Sequence, residues 1–299
     1  MRTNAIGAPF IESPPMPIVA PSGMSSAASS SVRSLDSCAA TRVANLPTVC
    51  SMVKHSLQPL YVPVPAARAA YRELGTGPAI VFVHGGTGTA EHDWAAIAER
   101  LQDRYRTVLV DLRGHGASTD PTREVGITRS GLDLTHVLRA LGLARAVLVG
   151  FSYGGNTLLH LLGRDPSWAS ALVTVGASAE GDASRVEEIM TGPWPSALRN
   201  LRHATSDDRE YWQELRGALA HDWAANLALD DAALARIDCP VLVCHGADDV
   251  FQPLPYAERL MAGLPDACLE VIEGAGHAAQ LDQPEVFLEL VEQFLAPLR

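Results

Sequence analysis

The stretch that decides the fold of this chain is Gly150-Phe151-Ser152-Tyr153-Gly154. It fits the pattern G-x-S-x-G, in which a sharp turn between a strand and a helix exposes a serine hydroxyl. The apolar run 146–149 before it is typical of a buried parallel strand, and residues 156–162 after it place apolar side chains on one helical face. The sequence therefore predicts a strand, a tight turn and a helix, with Ser152 as a candidate nucleophile.

A serine hydroxyl becomes a good nucleophile only when a base takes its proton, so a histidine and an orienting carboxylate are expected downstream. The apolar runs 240–244 and 268–272 each predict a buried strand. The first run leads into Asp248 and Asp249, and the second leads into His277. Because open α/β sheets build their sites at the carboxyl ends of strands, this order of serine, acid and histidine predicts a catalytic triad at one sheet edge.

A glycine-rich turn, His84-Gly85-Gly86-Thr87-Gly88, follows an earlier apolar run at 79–83. In a fold with such a serine turn, the early glycine-rich loop supplies one backbone N–H of an oxyanion hole, and the residue after the nucleophile supplies another. We therefore expect the amides of Gly86 and Tyr153 to bind the oxyanion.

With these motifs in place, the chain resembles the α/β-hydrolase superfamily, in its branch with a serine nucleophile and a cap. The resemblance covers residues 57–297 and rests on the segments His84-Gly85-Gly86, Asp111-Leu112-Arg113-Gly114-His115-Gly116, Gly150-Phe151-Ser152-Tyr153-Gly154-Gly155, Gly246-Ala247-Asp248-Asp249 and Gly274-Ala275-Gly276-His277. It implies an α/β fold with a mostly parallel central sheet, helices on both faces and a small helical cap. The family pattern places the acid at the fourth residue of the segment 246–249, which selects Asp249 and leaves Asp248 as a turn residue.

The stretch 180–236 is too long for a simple crossover between strands. Its pattern predicts helices at 183–190, 195–203, 207–220 and 230–237. In the family this position carries a cap over the active site, so the resemblance makes this segment a cap.

Several residues near the cap and the glycine-rich turn are candidates for lining a substrate pocket. They are Trp194, Trp212 and Trp223 in the cap segment and His84 beside the oxyanion loop. For each tryptophan the alternative is packing within the cap's own core, because buried aromatic residues mostly serve packing. For His84 the alternative is hydrogen bonding within its turn.

Composition narrows the classes of partner. The formal net charge is -11 and no basic cluster is present, which argues against nucleic acid and anionic membrane surfaces. No apolar run is long enough to span a membrane. The 5 cysteines form neither a disulfide framework nor a metal signature, so we expect no metal. The serine chemistry that the resemblance implies uses no cofactor, so we expect none. The expected partner is a small-molecule substrate, bound by a monomer or homodimer in the cytoplasm.

Residues 1–56 are rich in Ser, Pro and Ala, poor in acids and without hydrophobic periodicity, so we expect them to be disordered. They fit a transit peptide in part, which would direct the chain to an organelle. A mis-assigned start codon is the alternative, since Met52 stands just before the region that resembles the family. The remaining chain is expected to comprise a hydrolase core at 57–179 and 237–299 and a cap at 180–236.

These expectations lead to one main functional hypothesis and two alternatives. The resemblance implies a cofactor-independent serine hydrolase that cleaves a small-molecule carboxylic ester, thioester or lactone through Ser152, His277 and Asp249. The same triad can serve carbon–carbon bond hydrolysis, perhydrolysis, acyl transfer or elimination in a biosynthetic pathway. The third hypothesis is a receptor with this fold and little turnover. Serine at the turn disfavours the epoxide hydrolases and haloalkane dehalogenases of the superfamily, which use an aspartate there.

Overall fold

The computed structural model describes residues 58–180 and 209–298, and eight strands within these ranges form one sheet. The strands are β1 (Leu60–Val64), β2 (Ala67–Leu74), β3 (Ala79–Val83), β4 (Arg106–Val110), β5 (Ala146–Phe151), β6 (Ala169–Val175), β7 (Val241–Gly246) and β8 (Ala267–Ile272). Their order across the sheet is β1-β2-β4-β3-β5-β6-β7-β8. Strand β2 pairs antiparallel with β1 and β4, and every other neighbouring pair is parallel. The predicted mostly parallel α/β sheet is thereby confirmed.

The helices of the described residues lie on both faces of this sheet. They are α1 (Ala90–Leu101), α2 (Ile127–Ala140), α3 (Tyr153–Arg164), α4 (Arg209–Asn226), α5 (Asp231–Leu234), α6 (Leu254–Gly263), α7 (Ala279–Asp282) and α8 (Pro284–Leu295). Helices α1 and α8 contribute to one apolar cluster, and α2, α3 and α6 contribute to the other. Among the helices of the described ranges, none is both long enough and apolar enough to cross a bilayer.

Strand β3 shows why both faces of the sheet are covered. Successive side chains of a strand point to opposite faces. Ile80 and Phe82 belong to the apolar cluster that contains α1 and α8, whereas Val81 and Val83 belong to the cluster that contains α2 and α3. All four side chains are buried, and each contributes roughly 1.5–3 kcal/mol relative to an exposed position. This two-sided burial fixes the carboxyl end of β3, where the glycine-rich turn begins.

Trp94 ties helix α1 to that strand end. Its side chain is fully buried, and its Nε1–H donates to the Val83 carbonyl at 3.1 Å. The rings of Phe82 and Phe287 lie 5.2 and 5.9 Å from its ring. The end of β3, from which the turn begins, is therefore held by buried apolar packing and a hydrogen bond.

The insertion before β7 is described only in its C-terminal part. Helix α4 extends to Asn226, whereas the sequence predicted a helix ending at residue 220. The reason is an apolar stripe at spacings of four residues, Leu215, Leu219 and Trp223, whose side chains are all buried. This stripe continues past residue 220 and holds the helix against the core.

Of the other three helices predicted in the insertion, the structure describes one. Helix α5 is a single turn rather than the predicted helix at 230–237, and the Asp230 side chain caps it by accepting the Ala233 N–H at 2.7 Å. The helices predicted at 183–190 and 195–203 lie outside the described residues, as does the N-terminal segment 1–56.

Candidate functional site

Ser152 stands at the turn between β5 and α3 with an unusual backbone. Its φ is 49° and its ψ is -118°, a conformation that costs a non-glycine residue of order 1–3 kcal/mol. The Ser152 N–H donates to the Val175 carbonyl at 2.7 Å, which fixes the turn to strand β6. This strained turn lifts the serine side chain above the carboxyl edge of the sheet.

The predicted triad residues lie together at this edge. The Nε2 atom of His277 lies 2.9 Å from Ser152 Oγ, and its Nδ1 atom lies 2.7 Å from Asp249 Oδ2. Because a carboxylate can only accept hydrogen bonds, Nδ1 carries the imidazole proton and Nε2 presents its lone pair to the serine hydroxyl. The geometry suits proton transfer from Ser152 to His277.

Asp249 is held as a carboxylate. Its Oδ1 atom accepts the N–H groups of Phe251 and Gln252 at 2.8 and 2.9 Å. Burial on its own would raise the pKa of Asp249, but the hydrogen bond and the charge of His277 outweigh burial, and the Gln252 N–H adds to them, so the pKa lies below its ordinary value. Asp249 therefore remains ionised at neutral pH.

The neighbouring carboxylate, Asp248, points elsewhere. It is exposed, and its backbone N–H donates to the Ala275 carbonyl at 2.9 Å. The structure thus brings Asp249, and not Asp248, to His277, as the sequence pattern predicted.

Two aromatic rings flank the imidazole of His277. The ring of Phe151 lies 5.1 Å away between centroids, and the ring of Phe251 lies 5.4 Å away. The side chain of His277 is 18% exposed, and these two rings contribute to its burial. They restrict the ring to the orientation in which its two nitrogens meet Ser152 and Asp249.

His84 lies behind the glycine-rich turn and is bound to backbone groups on both sides of its ring. The Leu112 N–H donates to its Nε2 atom at 2.9 Å, so Nδ1 carries the proton and donates to the Gly85 carbonyl at 2.6 Å. Because the C=O and N–H of a trans peptide point in opposite directions, this bond aims the Gly86 N–H away from the His84 ring. The side chain is fully buried and both ring nitrogens bind backbone groups, which fits the alternative of hydrogen bonding within the turn.

Two more buried side chains, those of Asp93 and His115, hold the same turn, and the role of Asp93 was not predicted from the sequence. Asp93 Oδ2 accepts the Gly85 N–H at 2.9 Å. His115 Nε2 lies 3.1 Å from the Gly86 carbonyl, and its Nδ1 lies 2.8 Å from the Arg113 carbonyl. An acid in the first turn of a helix is common for reasons of the helix dipole, so Asp93 carried no distinguishing pattern.

His115 is neutral in this environment. Burial and, after it, the neighbouring imidazole of His84 lower the pKa of His115 to about 4. A neutral imidazole has one N–H, so it donates to only one of the two carbonyls that it faces.

The amides of Gly86 and Tyr153 are placed side by side and are free to bind a ligand. A methyl group on Gly86 would lie 3.3 Å from the Tyr153 Cβ. Within residues 58–180 and 209–298, neither N–H makes a hydrogen bond. Tyr153 is the first residue of α3, and the first N–H groups of a helix have no partner within it. Both amides therefore fit the predicted role of oxyanion donors.

Of the tryptophans predicted to line the pocket, the structure describes the side chain of Trp223. It is buried, and its ring lies edge-on to Tyr153 with 6.3 Å between centroids. Trp194 and the side chain of Trp212 lie outside the described residues. Leu219, one turn before Trp223, lies beside Gly86, so helix α4 covers the side of the site that carries the two amides.

Among the described residues, we find neither a thiolate nor a metal-binding group of side chains. Burial raises the pKa of the Cys239, Cys244 and Cys268 thiols, so none of them is a thiolate at neutral pH. Among the residues that the structure describes, no group of three or more His, Cys, Asp or Glu side chains is arranged to hold a metal ion.

Comparison with known proteins shows which family the chain matches. Residues 80–290 match the profile of the family described as "Alpha/beta hydrolase family". The chain is 29% identical over 250 residues to a pimeloyl-(acyl-carrier protein) methyl ester esterase from Chromobacterium violaceum, covering 74% of this chain and 96% of the relative. It is 29% identical over 253 residues to a 2-hydroxy-6-oxo-2,4-heptadienoate hydrolase from Pseudomonas putida, covering 75% of this chain and 91% of the relative.

A solved structure shares the fold. A thermophilic esterase from Thermogutta terrifontis superposes with a TM-score of 0.67 and 23% sequence identity, covering 80% of this chain and 98% of that chain.

Proposed function

Because the chain belongs to the alpha/beta hydrolase family, we propose that it cleaves a small-molecule carboxylic ester, thioester or lactone with Ser152 as nucleophile. One observation carries the proposal: the 2.9 Å contact between Ser152 Oγ and a His277 imidazole whose other nitrogen is held by a buried carboxylate. This constellation activates a serine by general-base catalysis.

The first half of the proposed reaction forms an acyl-enzyme. Ser152 Oγ attacks the substrate carbonyl carbon while its proton passes to His277 Nε2. The N–H groups of Gly86 and Tyr153 donate to the oxyanion of the tetrahedral intermediate, and one such donor is worth about 3 kcal/mol. His277 then gives its proton to the leaving oxygen or sulfur as the carbon–heteroatom bond breaks.

The second half returns the enzyme to its starting state. A water molecule gives a proton to His277 Nε2 and attacks the acyl carbon. Collapse of the second tetrahedral intermediate breaks the bond to Ser152 Oγ, which takes the proton back from His277. Asp249 stabilises the imidazolium in both halves and keeps the imidazole in the productive tautomer. Each step moves only protons and electron pairs that these residues supply, so the proposal needs no cofactor.

A second candidate reaction is carbon–carbon bond hydrolysis. The relative from Pseudomonas putida supports it, because the compound in its name contains no ester bond and its hydrolysis must break a carbon–carbon bond. The esterase from Chromobacterium violaceum supports the first candidate, and its sequence identity to this chain, 29%, equals that of the Pseudomonas putida relative. We place ester cleavage first, because the triad and the two amides perform it without any further group.

A substrate screen with a matched variant tests the proposal. Purified wild type, Ser152→Ala and Ser167→Ala are assayed with p-nitrophenyl esters of increasing acyl length, lactones, acyl thioesters and a vinylogous 1,5-diketone. Ser167 is the control because its hydroxyl lies on the surface, where it donates to Asp165. We expect repeated turnover of an ester, thioester or lactone by wild type and Ser167→Ala, and none by Ser152→Ala. Turnover of the diketone alone would favour the second candidate, and binding without turnover would favour a receptor.

A fluorophosphonate probe gives an independent measurement. It should label wild type and Ser167→Ala in a manner that saturates at one label per chain. Labelling of Ser152→Ala at the wild-type rate would show that Ser152 is not the nucleophile.

A further inference from the structure

Helix α2 takes its N-terminal cap from the insertion. The residue before the helix is Gly126, which has no side chain to cap it, and the first turn contains no acid. The Ile127 N–H donates instead to Oδ2 of Asp222 at 2.7 Å, although the two residues are 95 positions apart. A carboxylate at this place satisfies an N–H that has no partner within the helix and complements the positive end of the helix dipole.

The space around Asp222 is shaped for this contact. Its Oδ1 atom accepts a side-chain N–H of Asn226 at 2.8 Å. Gly126 has a φ of 156°, and a Cβ atom at this position would lie 2.7 Å from Asp222 Oδ1. A larger residue at 126 would therefore displace the carboxylate.

The residues beside Asp222 contact the two proposed oxyanion donors. Trp223 lies edge-on to the Tyr153 ring, and Leu219 is fully buried with its Cδ1 atom 4.0 Å from where a methyl group on Gly86 would lie. Burial raises the pKa of Tyr153, and the negative charge of Asp222 raises it further. The segment 219–223 thus binds α2 and covers Gly86 and Tyr153 at the same time.

From these contacts we propose that Asp222 is a positioning residue of the reaction, which locks helix α4 onto α2 and thereby sets how α4 packs against Gly86 and Tyr153. The role rests on the proposed function, since Gly86 and Tyr153 matter here as oxyanion donors. Without the carboxylate, α4 loses its hydrogen bond to the start of α2, while the surface ion pair of Glu214 with Arg123 and the Leu219 and Trp223 side chains remain. The packing over the two amides then loosens, water enters, and the oxyanion is bound less well.

The kinetic test compares variants at a temperature well below their melting temperatures. Asp222→Ala should lower kcat for a small p-nitrophenyl ester by about tenfold, because complete removal of one oxyanion donor costs about 100- to 1000-fold and here the donors are only displaced. Asp222→Asn should recover most of kcat, because its amide oxygen can still accept the Ile127 N–H. Asp230→Ala is the matched control. It also removes an aspartate that caps a helix, but this cap accepts the Ala233 N–H of α5, so kcat should be unchanged.

A second variant keeps the proposal testable if Asp222→Ala does not fold. Gly126→Ala keeps the aspartate at position 222, but the added methyl group displaces its carboxylate from the Ile127 N–H. This variant should therefore lower kcat in the same way. A wild-type kcat in either Asp222→Ala or Gly126→Ala, with only a lower melting temperature, would overturn the positioning role.

Hydrogen exchange measured by mass spectrometry tests the same contact without any substrate. In Asp222→Ala, peptides that cover α4 and the start of α3 at Tyr153 should exchange faster than in wild type, and in Asp230→Ala they should not. Unchanged exchange at Tyr153 in Asp222→Ala would overturn the proposal even if the ester assay fails. Conversely, loss of the proposed function would appear as absent ester turnover in wild type, with the exchange result unaffected.

Discussion

Asp249 and His277 are joined at 2.7 Å between Oδ2 and Nδ1, and the second carboxylate oxygen of Asp249 is already occupied by two backbone N–H groups. The aspartate therefore has no freedom to rotate away from the imidazole. This arrangement orients the ring and also dictates which ring nitrogen is protonated, so the amide analogue of Asp249 would disturb the site more than its small change in shape suggests.

Asp249→Asn should lower kcat by about four orders of magnitude, because its Nδ2 can donate to His277 Nδ1 and favour the tautomer with the proton on Nε2. Asp248→Asn makes the same chemical change one residue earlier on an exposed side chain, and should lower kcat by less than about threefold. Both are measured by steady-state hydrolysis of a p-nitrophenyl ester. A larger loss in Asp248→Asn than in Asp249→Asn would show that the carboxylate has been misassigned.

The sheet and the proximity of Ser152, Asp249 and His277 could be predicted, the sheet from local sequence pattern and the choice of Asp249 from the family resemblance. Each proposed catalytic residue follows an apolar run, and the carboxyl ends of such runs meet at one edge of a parallel sheet. Ser152, Asp249 and His277 therefore lie where their positions after β5, β7 and β8 put them.

The partner atoms that hold the glycine-rich loop could not be predicted in this way. The sequence places His84 beside the loop but does not say on which side of the Gly85 peptide its ring lies, and the ring lies behind it. The cap of α2 by Asp222 joins residues 95 positions apart, and no local periodicity encodes such a pair. Side-chain to backbone bonds across loops depend on the finished fold, and they account for most of what the sequence left open.

The backbone of Ser152 supports a prediction about stability. Alanine at this position keeps the cost of a φ of 49°, whereas glycine relieves it but gains entropy in the unfolded chain. Ser152→Gly should therefore be more stable than Ser152→Ala by about 1 kcal/mol, or about 2–4 °C in melting temperature. The control pair is Ser167→Gly and Ser167→Ala at an exposed position, where glycine should give no advantage. Equal melting temperatures for the two Ser152 variants would show that the turn is not strained.

Two glycines in helices allow a matched test of close packing. An added Cβ at Gly154 in α3 would lie 2.5 Å from the carbonyl oxygens of Val83 and His84, whereas at Gly217 in α4 it would meet nothing within 4 Å. Gly154→Ala should lose about 1–3 kcal/mol of stability, because backbone atoms must move apart. Gly217→Ala should gain up to about 1 kcal/mol from helix propensity. Urea unfolding measures both, and a stabilised Gly154→Ala would contradict the contact between α3 and the end of β3.

His115 makes the stability of the protein depend on pH. Its pKa is lowered to about 4 by burial and, after burial, by His84, while Asp111 acts weakly in the opposite direction. In the unfolded chain a histidine has a pKa of about 6.5. Between about pH 4 and pH 6.5 the unfolded state therefore binds a proton that the folded state does not, so stability is fully present above that window and is lost as the pH falls through it.

Replacing His115 should flatten this dependence. One pKa unit corresponds to about 1.4 kcal/mol, so His115 accounts for on the order of 3 kcal/mol between pH 7 and pH 4. His115→Asn should be less stable than wild type at pH 7 but should lose less stability on acidification, as measured by urea unfolding at half-unit pH steps. Some dependence should remain, because burial also lowers the pKa of His160 and His245. His221→Asn changes an exposed histidine and should keep the wild-type slope; if His115→Asn keeps it as well, His115 is not the group that titrates on unfolding.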